Sequence, residues 1–210
     1  MAGEFQFVAG HVALDFANTL DFRYDESRRV ELLPTYDRFL EFAAQAGLIS
    51  ASGKRKLLRN TTASAAARRP KQIVEIREAL YRMFLAAVHG KPANPSSLRT
   101  YNRYLRDLHV AKEIVWRKSG FVRTSADLST SSLGPIWPIL ESAGILLTSP
   151  DRSQIRECGD QSCRWLFLDT SKNHSRRWCS MDICGSRSKA RRYYARRKAA
   201  GISDSSRPAR

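Results

Sequence analysis

Four cysteines near the C-terminal end constrain this chain more than any other feature of its sequence. They are the only cysteines among 210 residues, and they form two C-x4-C pairs separated by a 15-residue gap. Two close pairs joined by a short excursion are typical of a tetrahedral zinc site, in which each pair supplies two thiolates from one turn. The spacing therefore predicts that Zn²⁺ is bound by Cys158, Cys163, Cys179 and Cys184.

An iron–sulfur cluster is the alternative occupant of a four-cysteine shell, and it would make this region a redox-sensing regulator. The spacing matches no ferredoxin run, so zinc is the preferred prediction. Metal analysis combined with a visible absorption spectrum separates colourless zinc from coloured iron–sulfur.

The segment after the last cysteine predicts a helix whose charges have one sign. No Gly or Pro interrupts residues 187–200, which are rich in Ala, Arg and Lys. Like charges one turn apart weaken an isolated helix, and a polyanion would relieve their repulsion. Of Tyr193 and Tyr194, one is expected to pack on a preceding hairpin and the other to contact nucleic acid. The predicted nucleic-acid contacts are Arg176, Arg177, Arg187, Lys189, Arg191, Arg192, Arg196, Arg197 and Lys198.

The positive charge is denser at this end of the chain than elsewhere. Residues 1–150 hold 21 basic and 14 acidic residues, whereas residues 151–210 hold 15 and 6, so the shorter segment carries the larger net charge. A basic cluster beside a metal-fixed helix is typical of nucleic-acid binding, and DNA is the predicted partner. RNA binding and a protein-docking zinc module are the alternative interpretations.

These residues together resemble the CGNR zinc finger. The resemblance is carried by Ile155–Cys158, Cys163–Ser171, Arg176–Met181 and Cys184–Arg187. Ser186 stands where the name-giving motif has Asn; it is not a ligand, and Ser caps a helix start as well as Asn does, so the fold is expected to survive. A strand is expected at 165–169, within a finger of two knuckles, a hairpin and a C-terminal helix.

The first 150 residues predict a mostly helical domain with one small β-hairpin. Pro70 is expected to break the second of its helices, which begins at Ser52. Two short apolar runs around Gly120 predict the hairpin. Apolar periodicity and turn residues predict helices over 34–47, 52–69, 73–88, 98–108 and 135–147.

The segment Leu14–Thr19 resembles the opening motif of the ABATE domain, for which a role in stress-induced transcription regulation is proposed. Nearby, His11, Asp15 and Asn18 are polar residues in an apolar segment. Such side chains either satisfy backbone groups of a local turn, which is the preferred interpretation, or line a pocket for a small-molecule effector. The ABATE-like region is expected to sense such an effector or to form a homodimer.

The predicted fold is α+β, with an ABATE-like domain over 1–150, a zinc finger over 151–200 and a flexible tail over 201–210. Loss of a zinc ligand is expected to unfold the finger and leave 1–150 folded. The sequence contains no recognisable catalytic motif, and four cysteines leave the metal no open position, so no enzymatic activity is expected. The absence of a signal segment and of any run of ~20 apolar residues predicts a cytoplasmic protein with no membrane contact.

Overall fold

The computed structural model describes residues 4–108, 112–117, 120–125 and 127–199. Within them, seven α-helices are joined by loops and by three separate two-stranded antiparallel sheets. This architecture confirms the predicted α+β class. The predicted tail over 201–210 lies outside the described residues.

The helices and strands have the following bounds. The helices are α1 (Val12–Ala17), α2 (Tyr36–Gln45), α3 (Ala51–Asn60), α4 (Ala63–Val88), α5 (Pro95–Asp107), α6 (Trp137–Thr148) and α7 (Ser186–Ala199). The sheets pair β1 (Leu20–Asp21) with β2 (Val30–Glu31), β3 (Lys112–Arg117) with β4 (Gly120–Ser125), and β5 (Ile155–Glu157) with β6 (Leu166–Leu168). A single π-helical turn, Met181–Gly185, precedes α7.

The expectation that a helix runs from Ser52 to a break at Pro70 is wrong. The chain leaves the helical conformation near Thr62, whose hydroxyl accepts a hydrogen bond from the Ala65 amide at 3.2 Å and begins α4. Pro70 therefore lies inside α4, where proline costs about 3 kcal/mol. Burial of large apolar side chains along the following turns offsets this cost. These are Ile73, Ile76, Leu80 and Phe84.

Helix α4 is the centre of the packing. Helices α1, α2, α5 and α6 and strand β5 all pack against it. One contiguous cluster of buried apolar side chains extends from Phe5 to Cys184. The N-terminal helices and the four-cysteine region therefore share a core.

The predicted β-hairpin and the predicted strand of the finger are both present, but the strand has a different pairing partner. The hairpin of β3 and β4 forms as predicted, with Trp116 opposite Phe121. The strand expected at 165–169 is β6, but its partner is β5, which directly precedes Cys158. The first cysteine pair consequently lies in the loop that joins the two strands of this hairpin.

Candidate metal centre and basic helix

The first cysteine pair is held by a tight backbone turn. The Cys158 amide donates to the Trp165 carbonyl at 2.7 Å, which continues the pairing of β5 with β6. The amides of Cys163 and Arg164 both donate to the Asp160 carbonyl, at 2.9 and 3.1 Å. Arg164 adopts a left-handed conformation with φ of 58°, which reverses the chain. This turn brings both sulfur atoms to one side.

The second pair is formed by a π-helical turn. The Ser180 carbonyl accepts hydrogen bonds from the amides of Cys184 and Gly185, both at 3.1 Å, and the Ser180 hydroxyl accepts one from Ile183 at 3.3 Å. Single π-turns of this kind recur at functional sites, because the extra residue re-aims a side chain. Here the turn points Cys184 inward and leads directly into α7.

Ser186 does not act as the helix cap that the sequence suggested. Its backbone is already helical, and its hydroxyl donates to the Met181 carbonyl at 3.4 Å. Ser180 occupies the capping position instead. The exchange of Asn for Ser at 186 is therefore accommodated inside a continuous helical segment.

The four sulfur atoms form a compact cluster. All lie within 4.8 Å of one another, and all four cysteines are buried. The Cys179 sulfur is 3.7 Å from that of Cys163 and 3.6 Å from that of Cys184. Zinc–sulfur bonds of about 2.3 Å in a regular tetrahedron put neighbouring sulfur atoms about 3.8 Å apart. The donor set thus fits a structural zinc ion, and the separations are far too long for disulfides.

The surroundings of the sulfur atoms favour a bound cation. The Cys179 amide donates to the Cys158 sulfur at 3.5 Å, a contact that orients the ligand from outside the shell. Hydrogen bonding with Cys163 lowers the pKa of the Cys158 thiol, while hydrogen bonding with Cys158 raises the pKa of Cys163. Without a cation, four close thiols cannot all lose their protons, because the resulting thiolates would repel one another. A divalent cation would let all four become thiolates.

The polar residues near the start of the chain bind backbone groups. His11 caps α1 by accepting from the Ala13 amide at 3.3 Å, and burial lowers its pKa. Asp15 accepts from the Ala9 amide at 2.9 Å, and burial raises the pKa of its carboxyl to about 6. These contacts agree with the preferred interpretation, in which such side chains serve a local turn.

Asn18 forms a contact across 148 positions of the chain. Its amide nitrogen donates to the Leu166 carbonyl and its amide oxygen accepts from the Leu166 amide, both at 2.8 Å. The Leu168 amide donates to the Ala9 carbonyl at 2.8 Å. The side chain of Asn18 and the segment before α1 together bind both outer residues of β6. The metal region is therefore docked on the N-terminal helices.

Arg176 is used inside the fold. Its guanidinium donates to the carbonyls of Trp178 and Val8, at 2.9 and 3.0 Å, and also to that of Cys179. It also stacks over the Phe167 ring, 4.5 Å from the centroid. These bonds hold the second cysteine pair against the N-terminal segment.

Three of the basic residues on α7 that were predicted to contact nucleic acid contact other side chains of the protein. None of the fourteen residues of this helix, all of them described, is buried. Arg187 and Arg191 approach the carboxylate of Asp160, at 3.5 and 3.0 Å. Arg197 contacts the Tyr193 hydroxyl at 3.1 Å. The remaining predicted cations have exposed side chains. They are Lys189, Arg192, Arg196 and Lys198 on α7, together with Arg177 before the second cysteine pair.

The expectation that one tyrosine of α7 packs on a hairpin is wrong. Tyr193 and Tyr194 are 50% and 63% exposed, and their rings meet edge to face with centroids 5.5 Å apart. Every residue of α7 is described and none is buried, so the helix does not seat either ring against the hairpin.

Two family models match the sequence, and they divide it between them. The ABATE family, described as a putative stress-induced transcription regulator, matches residues 10–150. The chain belongs to the ABATE family. A CGNR zinc finger follows its ABATE region and matches residues 154–197, so the clustered thiols belong to a zinc finger and zinc is its cofactor. No curated protein matches the chain. No helix in the described part of the ABATE protein is both long and apolar enough to cross a membrane.

Two contacts of this region were not predicted from the sequence. Asp160 carries a sequence signal, because an acid followed two residues later by Ser is a common turn motif and stands out in a basic finger. The partner of Asn18 carries none, since no local pattern links positions so distant in the chain.

Proposed function

We propose that this ABATE protein is a DNA-binding transcription regulator in which zinc orients α7 onto the phosphate backbone. The proposal is supported chiefly by α7, whose fourteen residues include seven basic ones and no acid. A helix of this length extends about 21 Å, and the major groove of DNA admits a helix of ordinary diameter.

One face of α7 is best placed for phosphate contacts. Lys189, Arg192 and Arg196 repeat at intervals of three and four residues, so they share a face. All three side chains are exposed, and the described structure gives none of them an ion pair. Tyr193 borders this face and is half exposed, which suits stacking or contact with sugar and base.

The zinc ion would act as a cross-link. Cys158, Cys163, Cys179 and Cys184 would hold it, and binding would contribute on the order of 10 kcal/mol to folding of the finger. Because α7 begins one residue after Gly185, the fixed cysteine pair sets the position of its first turn. A helix held in place before binding loses less entropy on binding DNA.

A binding role, rather than catalysis, is part of the proposal. Four protein thiolates fill a tetrahedral shell, so substrate or water has no position on the metal. The presence of four thiols suited to metal binding also favours the reducing cytoplasm as the location.

A salt titration tests the proposal. The zinc-loaded full chain is titrated into a fluorescent DNA duplex at several salt concentrations, and binding is measured by anisotropy. We expect affinity to fall steeply with salt, because bound cations release counterions from DNA. The double variant Arg192→Ala, Arg196→Ala should lower the slope of log K against log salt by about two.

The matched control lies on α3. Arg55 and Arg59 are exposed, have the same spacing and remove the same charge when both are changed to Ala. This control should leave the slope nearly unchanged. If the two double variants lowered the slope equally, the result would show that only net charge matters and that α7 is not part of the DNA interface. Stronger competition by single-stranded RNA than by duplex DNA would support the RNA alternative.

A further inference from the structure

A buried acid lies inside the basic finger. The Asp160 side chain is fully buried, and one carboxylate oxygen accepts from the amide and hydroxyl of Ser162, at 3.1 and 2.8 Å. Both of its oxygens contact the Arg191 guanidinium, at 3.0 and 3.2 Å. Arg187 approaches the same carboxylate at 3.5 Å. This turn between the first two cysteines therefore holds two arginines of α7.

These contacts are the main side-chain attachment of a helix that buries nothing. Arg187 and Arg191 are four residues apart, so they lie one turn apart on the same side of α7. Charge-assisted hydrogen bonds to a buried carboxylate are stronger than those between neutral groups. The π-turn fixes where α7 begins, and the contact with Arg191 one turn later fixes the direction in which it points.

Arg187 extends the attachment to the N-terminal region. Its guanidinium lies over the Phe22 ring, 5.3 Å from the centroid, and its Nη1 is 3.5 Å from the Ser162 hydroxyl. The start of α7 is thus held between the first cysteine pair and the loop after β1.

We propose that Asp160 is a positioning residue that clamps α7 through Arg191 and Arg187 and so orients it for nucleic acid. This inference rests on the proposed DNA-binding function and deepens it. It assigns the half-exposed side chain of Arg191, a predicted phosphate contact, to an ion pair within the finger. It also explains why an acid is buried in a finger whose surface should attract phosphates.

The proposal is testable because it predicts the direction in which DNA affinity changes when Asp160 loses its charge. An acid near bound DNA repels phosphates, so removing its charge would strengthen binding if Asp160 had no positioning role. If Asp160 holds α7 in place, removing its charge should weaken binding, because fewer molecules present the helix correctly.

The experiment compares Asp160→Asn with Asp182→Asn in the zinc-loaded full chain. Both substitutions remove one negative charge from the finger, and Asp182 is exposed in the π-turn with no ion pair in the described structure. Zinc content should stay the same in both. If one molecule in ten keeps α7 oriented, Asp160→Asn should bind DNA about tenfold more weakly. Asp182→Asn should bind as tightly as the unchanged protein or more tightly.

Hydrogen exchange supplies a readout that does not involve DNA. Amides of residues 187–199 should exchange faster in Asp160→Asn and at the original rate in Asp182→Asn. If the unchanged protein failed to bind nucleic acid, the proposed function would fail while exchange still decided whether the clamp exists.

A substitution in α7 controls for misfolding of the turn between Cys158 and Cys163, in which Asp160 lies. Arg191→Ala leaves the sequence of both cysteine pairs intact and should reproduce the faster exchange and the weaker binding. Combining it with Asp160→Asn should add little, because both remove the same contact. Binding by Asp160→Asn that equals or exceeds that of the unchanged protein, with α7 exchange unaltered, would overturn the proposal.

Discussion

At the scale of single residues, Asn18 links the two regions of the chain. Its side chain satisfies both backbone groups of Leu166, which is itself fully buried. Replacing it with Ala leaves a buried donor and a buried acceptor without partners, and each such group costs about 1–3 kcal/mol. We expect Asn18→Ala to lower the free energy of unfolding in urea by about 2 kcal/mol or more, with zinc still bound.

The control for this prediction is Asn102→Ala. Asn102 is an exposed helical residue of α5, and Ala is a better helix former, so stability should stay the same or rise slightly. An Asn18→Ala variant as stable as the unchanged protein would favour the other interpretation, in which this side chain serves an effector pocket.

Sequence reasoning at this scale succeeded where chemistry is local. Four cysteines at paired spacing predict their own clustering, because no other common site needs that pattern. The charges of α7 predict that it binds a polyanion, but they do not show which of its side chains remain free to do so. Arg176 and Arg191 were grouped with the phosphate contacts because a sequence does not show which carbonyl or carboxylate lies beside each guanidinium. The effector and the homodimer stay predictions.

At the scale of elements, α4 shows how tertiary packing overrides a local signal. Its apolar period was visible in the sequence, and the structure confirms a helix over 73–88 as part of α4. The break at Pro70 was predicted from the lost amide and the ring clash, both of which are real costs. The sequence alone did not show how well the cap at Thr62 and the buried turns would offset them. The pairing of β5 with β6 was missed for a similar reason, since three-residue strands carry little pattern.

Because Pro70 lies inside α4, we predict that its replacement stabilises the protein, whereas most substitutions destabilise. Pro70→Ala restores a backbone donor inside α4 and should raise the free energy of unfolding by about 1–3 kcal/mol, measured by urea denaturation. Pro95→Ala is the matched control, because Pro95 begins α5, where proline is favoured. The control should be neutral or destabilising. A loss of stability in Pro70→Ala would mean that the proline ring itself packs productively.

At the scale of the whole molecule, the ABATE region and the finger share one core. The division at residue 150 rests on sequence and on family matches, and it led us to expect that the finger could unfold alone. The shared core and the contacts of β6 with Ala9 and Asn18 lead to a different expectation. Losing the fold of the finger would uncover apolar surface on α1 and α4 and would leave the Ala9 carbonyl and the Asn18 side chain without their partners in β6.

Zinc removal distinguishes these two expectations. Chelation takes away on the order of 10 kcal/mol of folding free energy from the finger. We expect the amides of α1 and of the buried turns of α4 to lose protection from hydrogen exchange together with those of β6. Readdition of zinc should restore all three, and Cys163→Ser should reproduce the loss without a chelator. The opposite outcome, with α1 and α4 fully protected while β6 exchanges freely, would show that the finger is an independent unit. In that case, zinc loss would act on the finger alone, including β6 and α7. If protection is lost throughout, zinc occupancy controls both α7, the helix proposed to contact DNA, and the core of the region that precedes it.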